Sequence, residues 1–267
     1  MHRIAAAALL AALSAAAPVA ASPITVHYET RWAGLPAGDI DLRLDDRPDA
    51  YRSQINIRTA GVPRWFTRFR GYAVSEGRRG GIGLADPGRY DATYDLRSRK
   101  NKRISMRFVP TESGKLAERG PEDSSEKYLL EPAERTGVVD PLAALTRMRE
   151  AVRSGLARTP GFKIPVFDGK RRFDVESRGL APETLSIAGE RRKVLHLDLM
   201  LRPIAGFKDN DPEGNPDDRS RAMDVYFSDD AALIPLRIEV TIAWLTTVVE
   251  YAGSCDGPQS PCKAGFE

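Results

Sequence analysis

Alternation of apolar and polar residues is the dominant pattern along this chain. In the stretch DIDLRLD, Ile40, Leu42 and Leu44 share one face of a strand, and charged residues share the other face. A period of two is typical of an antiparallel β-strand with one buried face and one face in water. The same alternation recurs at residues 51–58, 90–97, 103–108, 195–201 and 236–244. The sequence therefore predicts a mainly β protein.

One segment, VDPLAALTRMREAVRSG, has the period of a helix instead. Asp140 is suited to the N-cap, Pro141 to the first helical position, and Gly155 to the stop. An apolar stripe runs along one side of this helix, and the arginines at 147, 149 and 153 lie off it. The stripe consists of Leu142, Leu145, Met148 and Val152. We expect the helix to lie on the sheet by this stripe.

These elements predict one large curved antiparallel sheet, closed as a half-barrel, a β-spiral or a barrel-like form, with one main amphipathic helix on its apolar face. Asp168-Gly169 and Ala188-Gly189 stand between predicted strands and favour hairpin turns. We expect a single β-rich domain over residues 22–254.

The first 21 residues have the layout of a secretory signal peptide. Arg3 precedes a short apolar run, and the small residues Val19 and Ala21 suit cleavage after position 21. The alternative is a membrane anchor, but the run is shorter than the roughly 20 apolar residues that a span needs. The residue directly after the cleavage site is Ser22 and not a cysteine, and no later apolar run could span a membrane. We expect a periplasmic protein with neither a lipid anchor nor an integral membrane segment.

The two cysteines, Cys255 and Cys262, lie near the end of the chain. In an oxidising compartment such a pair usually forms a disulfide, which would staple a tail over residues 255–267. The alternatives are a metal pair or a redox dithiol. Two thiols with no histidine nearby in the sequence make a poor zinc site, and the spacing is not that of a redox CxxC.

Composition narrows the function further. The chain is 42% hydrophobic and 29% charged, which excludes global disorder and supplies a core. Its formal net charge of +3 argues against a dedicated nucleic-acid binder. Common nucleotide, metalloprotease and hydrolase motifs are absent. We therefore expect no cofactor, no catalytic residues and no enzymatic activity.

An acidic stretch between two predicted strands has nearly the spacing of a calcium loop. Counting from Asp209, the twelfth position is Ser220, where a calcium loop needs a bidentate carboxylate. The flanks also read as strands and not as the two helices of an EF-hand. The sequence therefore predicts a solvated hairpin loop and no metal site.

His196 is the strongest enzymatic candidate. Asp198 follows it on the same strand face and could orient the imidazole for base catalysis, as in a hydrolase-type enzyme. On the polar face of a strand, such a pair is more often a surface contact.

Four strings together resemble a proteobacterial periplasmic family of unknown function, domain-of-unknown-function family 3108. They are RWAGLPAGDI, DPLAALTRMR, IPVFDGKRRFDV and VYFSDDAALIPLRIEV, and the likeness runs from about Tyr28 to Glu250. The resemblance implies location and fold but offers no catalytic residues. At the level of fold, the chain is also similar to lipoprotein carriers of the LolA and LolB type and to β-spiral envelope-integrity proteins.

The leading hypothesis is a module that binds a lipid or another hydrophobic component of the cell envelope. Its alternative is an envelope structural or interaction protein whose apolar face is filled by its own side chains. The expected ligand groove lies between the helix stripe and two strands. Its candidate lining residues are Leu142, Leu145, Met148, Val152, Leu195, Leu197, Leu199, Leu236, Ile238 and Val240.

Overall fold

The alternating segments form one continuous antiparallel sheet. The computed structural model describes residues 22–61, 68–79, 84–96, 102–124, 130–207, 220–242, 245–255 and 262. These residues form thirteen strands and one α-helix, α1 (Pro141–Ser154). The strands are β1 (Ile24–Trp32), β2 (Leu35–Asp46), β3 (Ala50–Thr59), β4 (Arg70–Arg79), β5 (Ala85–Asp95), β6 (Lys102–Thr111), β7 (Gly114–Arg119), β8 (Lys163–Phe167), β9 (Arg172–Ile187), β10 (Glu190–Ala205), β11 (Arg221–Ser228), β12 (Pro235–Ile242) and β13 (Leu245–Ser254).

The sheet is nearly closed and barrel-like, which confirms the predicted fold class. Its strand order is β7-β6-β5-β4-β3-β2-β1-β13-β12-β11-β10-β9-β8, so β7 and β8 are the two edges. A short segment, residues 136–139, lies between these edges. Thr136 bridges to Leu116 in β7, and Val139 bridges to Val166 in β8. The segment therefore satisfies backbone groups on both edges that an open sheet would leave unpaired.

The barrel-like sheet has two different ends. At the helix end, β2 finishes at Asp46, β3 begins at Ala50, and α1 packs inside the sheet. At the far end, β1 finishes at Trp32 and β2 begins at Leu35. The helix packs against the sheet at this end because the inner face of the sheet is largely apolar and must be buried.

The limits of α1 follow the sequence prediction. Asp140 is the N-cap and its side chain accepts hydrogen bonds from the backbone N–H groups of Leu142 and Ala143. Pro141 occupies the first turn, and Gly155 ends the helix with φ +81°, in the left-handed region that favours glycine.

The helix α1 packs against the sheet by its apolar stripe, as expected, and it is also buried on other sides. Nine residues of the helix are buried, and Arg149, expected off the stripe, is only 2% exposed. The helix is surrounded because the sheet wraps around it: α1 hydrogen-bonds to β2 through Arg149, to β3 through Thr146 and to β5 through Glu150.

The two predicted hairpin turns differ in form. Ala188 and Gly189 make a two-residue turn between β9 and β10, with φ +50° and +81°. Both values are positive, as a tight hairpin of this twist requires. The turn at Asp168-Gly169 is longer and occupies residues 168–171 between β8 and β9. There the Asp168 carboxylate accepts from the backbone N–H groups of Lys170 and Arg171.

Within the described part of the chain, no helix is both long and apolar enough to cross a membrane.

Candidate functional site

Nine of the ten residues of the expected groove lie in or against three core clusters. Met148, Val152, Leu197 and Leu199 belong to one cluster, and Leu145, Leu195 and Ile238 pack against it. Leu142 belongs to a second cluster. Leu236 lies in a third with Ile187 and Val194. Val240 is partly buried and is a member of none of the three. The structure therefore brings seven of the ten together, and the helix stripe packs directly against the strand leucines.

Burial of the inner face decreases from the helix end to the far end. Along β11, Phe227 and Val225 are 0% and 1% exposed, whereas Met223 is only partly buried. Along β2, Leu44 and Leu42 are buried and Ile40 is partly buried. The same change occurs along β3, β6 and β12. It follows from the position of α1, which covers the inner face only at its own end.

The partly buried inner residues form what we call the far-end cup. Ile40, Ile55, Ile104 and Val249 pack against the second core cluster, and Leu201 and Met223 pack against the first, which places them on the inner face. The cup consists of Ile40, Ile55, Ile57, Ile104, Leu201, Met223, Val240 and Val249. Of these, only Val240 was expected as a ligand contact, because alternation identifies an inner face but not how far along it a helix reaches.

Among the described residues, three large apolar side chains are exposed at the same end. Trp32 and Leu35 flank the β1–β2 turn and are 40% and 53% exposed. Ile204, near the end of β10, is 50% exposed. The far end therefore has apolar residues both inside the cup and at its edge.

Inside the barrel, the N-cap of α1 belongs to a buried polar network. Asp140 is 0% exposed, and the Ser75 hydroxyl donates to its Oδ2 at 2.8 Å. Tyr51 Oη lies 3.1 Å from Ser75 Oγ. Burial raises the pKa of Asp140 to about 6, although the hydrogen bonds from Ala143, Ser75 and Leu142 act to lower it.

A buried arginine connects α1 to two separate parts of the sheet. Arg149 donates from Nη1 to Asp46 Oδ2 at 2.7 Å, and from Nε and Nη2 to the carbonyls of Leu233 and Ala232 at 3.1 and 2.6 Å. One side chain thus ties the helix to β2 and to the β11–β12 turn. This contact is structural, because all the groups that it joins belong to the wall of the barrel.

His196 lies on the outer face of the sheet with both ring nitrogens engaged. Nδ1 is 2.7 Å from Glu183 Oε1, Nε2 is 2.7 Å from Asp224 Oδ1, and the ring stacks on Tyr226. Asp198 instead accepts from Arg178, so the expected His196–Asp198 pair does not form.

Two acceptors favour the doubly protonated ring. Burial lowers the pKa of His196, but the hydrogen bonds to Asp224 and Glu183 outweigh that effect and raise it above the ordinary 6.5. An imidazolium held in this way has no free lone pair to act as a general base. The geometry is that of an ionic surface contact between three strands.

A polar groove of about 720 Å³ lies beside strands β3 to β6. Arginine, carboxylate, hydroxyl and amide groups share its walls. Charged groups of the groove are paired: Arg58 donates to Asp41, and Arg103 donates to Glu122. The groove is lined by Asn56, Ile57, Arg58, Arg70, Gly71, Tyr72, Thr93, Tyr94, Asp95, Arg103, Glu122 and Ser124.

A second polar cluster is buried on strands β1 and β2. His27 is 4% exposed and Asp41 is 0% exposed, although alternation places both on the polar face of their strands. His27 Nδ1 lies 2.6 Å from Asp41 Oδ1, and Arg58 Nη2 donates to Asp41 Oδ2 at 3.0 Å.

The cysteines near the end of the chain lie beside this cluster. Cys255 and Cys262 form a disulfide with a Cα–Cα distance of 5.4 Å, and the Cys255 N–H donates to the carbonyl of Thr25 in β1. The pairing of the two cysteines confirms the predicted disulfide. The ligand atoms of His27, Asp41 and Cys262 all lie within 4.8 Å of one another.

The acidic stretch proposed as a hairpin loop, residues 209–219, lies outside the described residues. The absence of a calcium site there stays a prediction. The first 21 residues also lie outside them, so the signal peptide and its cleavage stay predictions as well.

Comparison with known proteins places the chain in a family. A solved structure, described as a β-barrel-like protein of domain of unknown function DUF1849 from Brucella abortus, covers 87% of this chain and 96% of its own, with a TM-score of 0.56. The two share 9% sequence identity, so the likeness concerns the fold alone. No curated protein matches the chain. The family model for the protein of unknown function DUF3108 matches residues 26–249, and the chain therefore belongs to that family.

Proposed function

We propose that this chain is an exported, non-catalytic protein that binds an acyl chain or a similar hydrophobic part of a cell-envelope molecule in the far-end cup. The observation that carries the proposal is the change in burial along the inner face. Apolar side chains are fully buried where α1 covers them and only partly buried beyond it. Covering such a surface with an apolar ligand lowers the free energy, because apolar area is removed from water.

The free energy gained by burying apolar area in the cup is large enough for measurable binding. Burial of apolar area contributes about 25 cal/mol per Å². An acyl segment that covers about 200 Å² of the cup would therefore gain about 5 kcal/mol before the cost of association. The exposed Trp32 and Leu35 would extend the contact at the edge of the cup.

This site differs from the groove expected from the sequence. In that groove the helix stripe would face the ligand, but Met148 and Val152 already pack against Leu197 and Leu199. The position of α1 therefore moves the proposed contact along the same strands, toward Met223 and Val240.

Two valines on neighbouring strands provide a matched test. Val240 in β12 pairs with Met223 of the cup, whereas Val248 in β13 pairs with Glu239 and Arg31 on the polar outer face. Both are partly buried. We expect Val240→Asp to weaken the binding of a fluorescent acyl probe at least tenfold and Val248→Asp to leave it unchanged. Equal affinities in folded variants, or no binding by the wild type, would contradict the proposal.

The second candidate is an envelope structural or interaction protein without a ligand. The packing of α1 inside the sheet favours it, because the protein's own helix fills the inner face at the helix end. It predicts that the wild type binds no acyl probe, and the same experiment therefore decides between the two.

A further inference from the structure

The buried cluster of His27 and Asp41, beside the cysteine pair, supports an inference that is independent of the proposed binding function. His27 lies in β1 and Asp41 in β2, and Cys262 lies near the end of the chain. In the sequence, the cysteine pair has no histidine near it. The fold supplies one, because the Cys255 backbone is hydrogen-bonded to Thr25, two residues before His27.

We propose that reduction of the Cys255–Cys262 disulfide creates a zinc site with Cys255, Cys262, His27 and Asp41 as its four ligands. Two thiolates, an imidazole and a carboxylate are all established zinc ligands, and four of them complete a tetrahedral site. The chain would then have two stabilised states of its final segment, one closed by a disulfide and one closed by a metal ion.

The distances suit such a site. Zinc bonds of about 2.0–2.3 Å place neighbouring ligand atoms of a tetrahedron about 3.3–3.8 Å apart. The atoms of His27, Asp41 and Cys262 already lie within 4.8 Å of one another, so movements of about 1 Å bring them to one ion. Cys255 is within reach because its sulfur is bonded to that of Cys262 in the oxidised state.

The neighbouring arginine suits the charge of the proposed zinc site. Two thiolates and one carboxylate carry three negative charges against the two positive charges of zinc. Arg58, which donates to Asp41 Oδ2 at 3.0 Å, balances the remaining charge and fixes the carboxylate from its second oxygen. A charged partner of this kind orients a metal ligand and strengthens the site.

The chemistry balances as two steps. A dithiol reductant delivers two electrons and two protons to the sulfur–sulfur bond, yields two cysteine thiols and leaves as its own disulfide. Zinc then replaces the two thiol protons, which are released to solvent, and binds the resulting thiolates. The oxidised chain has no thiolate to offer, so zinc binding requires the first step.

The test is zinc and cobalt(II) titration of the chain, without its first 21 residues, before and after treatment with tris(carboxyethyl)phosphine. That phosphine is oxidised to its oxide with oxygen from water. We expect one tightly bound ion per reduced chain, a cobalt spectrum with thiolate charge-transfer bands, and no tight binding before reduction. Absence of binding after reduction, or equal binding before it, would overturn the proposal.

A matched pair of variants separates this site from simple binding by two thiols. His27→Gln should weaken zinc binding by more than the roughly 10–100-fold that loss of an outer-shell partner costs. His196→Gln, which changes a histidine on β10, should leave zinc affinity unchanged. Equal affinities in the two variants would refute the role of His27. If His27→Gln does not fold, X-ray absorption of the zinc-loaded wild type replaces it: two sulfurs and an imidazole support the site, and no imidazole overturns it.

Discussion

Substitution of the buried N-cap of α1 tests how the helix is held inside the sheet. Asp140 accepts from two backbone N–H groups and from the Ser75 hydroxyl, and it is fully buried. Asp140→Ala removes the cap, which costs about 1 kcal/mol, and leaves buried donors without partners, which costs about 1–3 kcal/mol more. We therefore expect a loss of about 2–4 kcal/mol in the free energy of unfolding.

Asp140→Asn separates the cap from the charge. The amide oxygen can still accept from the backbone N–H groups of Leu142 and Ala143, while the cost of burying a carboxylate disappears. In the wild type, burial raises the pKa of Asp140 to about 6, against an ordinary value near 3.8. This difference corresponds to about 3 kcal/mol.

The direction of this pH dependence follows from whether the folded or the unfolded chain holds the proton on Asp140. Between pH 4 and 6 the folded chain keeps a proton on Asp140 that the unfolded chain has released. This group's contribution to stability is thus fully present below about pH 4 and is lost as the pH rises through about 6. Urea unfolding followed by circular dichroism should show the stability of Asp140→Asn rising relative to the wild type by about 3 kcal/mol between pH 4 and pH 7. A difference that does not change with pH would refute this account of the buried carboxyl.

Other consequences can be measured separately. Arg149→Met should lower the free energy of unfolding by about 3–5 kcal/mol in a denaturant titration, because Asp46 and two carbonyls lose their buried partner; an effect under 1 kcal/mol would show that the contact is not structural. NMR titration of His196 should give a pKa above the ordinary 6.5. The stability that this imidazolium contributes is present below pH 6.5 and is lost as the pH rises through the pKa of the folded chain. An apparent pKa below 6.5 would show that the two carboxylates do not hold the proton. Intact mass of the exported protein should begin at Ser22 and be about two protons' mass lower than that of the reduced form; free thiols in freshly isolated protein would contradict the disulfide.

Local features of the fold were predictable because neighbouring residues determine them. The alternation around Leu42 and Leu44 gave the inner face of β2, and the Ala188-Gly189 pair gave the tightest hairpin. Asp140 and Gly155 marked the limits of α1. In each case the physical cause, whether pleat, positive φ or capping, acts within a few residues.

Features that depend on distant partners were not predictable. Arg149 resembles a solvated residue in the sequence, and it is buried because Asp46 and the β11–β12 turn surround it. His196 was paired with Asp198 by strand parity, but residues on the two flanking strands lie closer to its ring. His27 and Cys262 are at opposite ends of the chain, and only closure of β13 against β1 brings them together.

Native mass spectrometry of the protein isolated from the exported fraction tests the central claim most directly. If the far-end cup binds an envelope molecule, the wild type should carry an added mass in the range of a lipid. The fraction of the chain that carries this added mass should fall in Val240→Asp and stay the same in Val248→Asp, because of these two valines only Val240 lies on the inner face. A wild-type spectrum that contains only the mass of the chain itself would contradict the binding function.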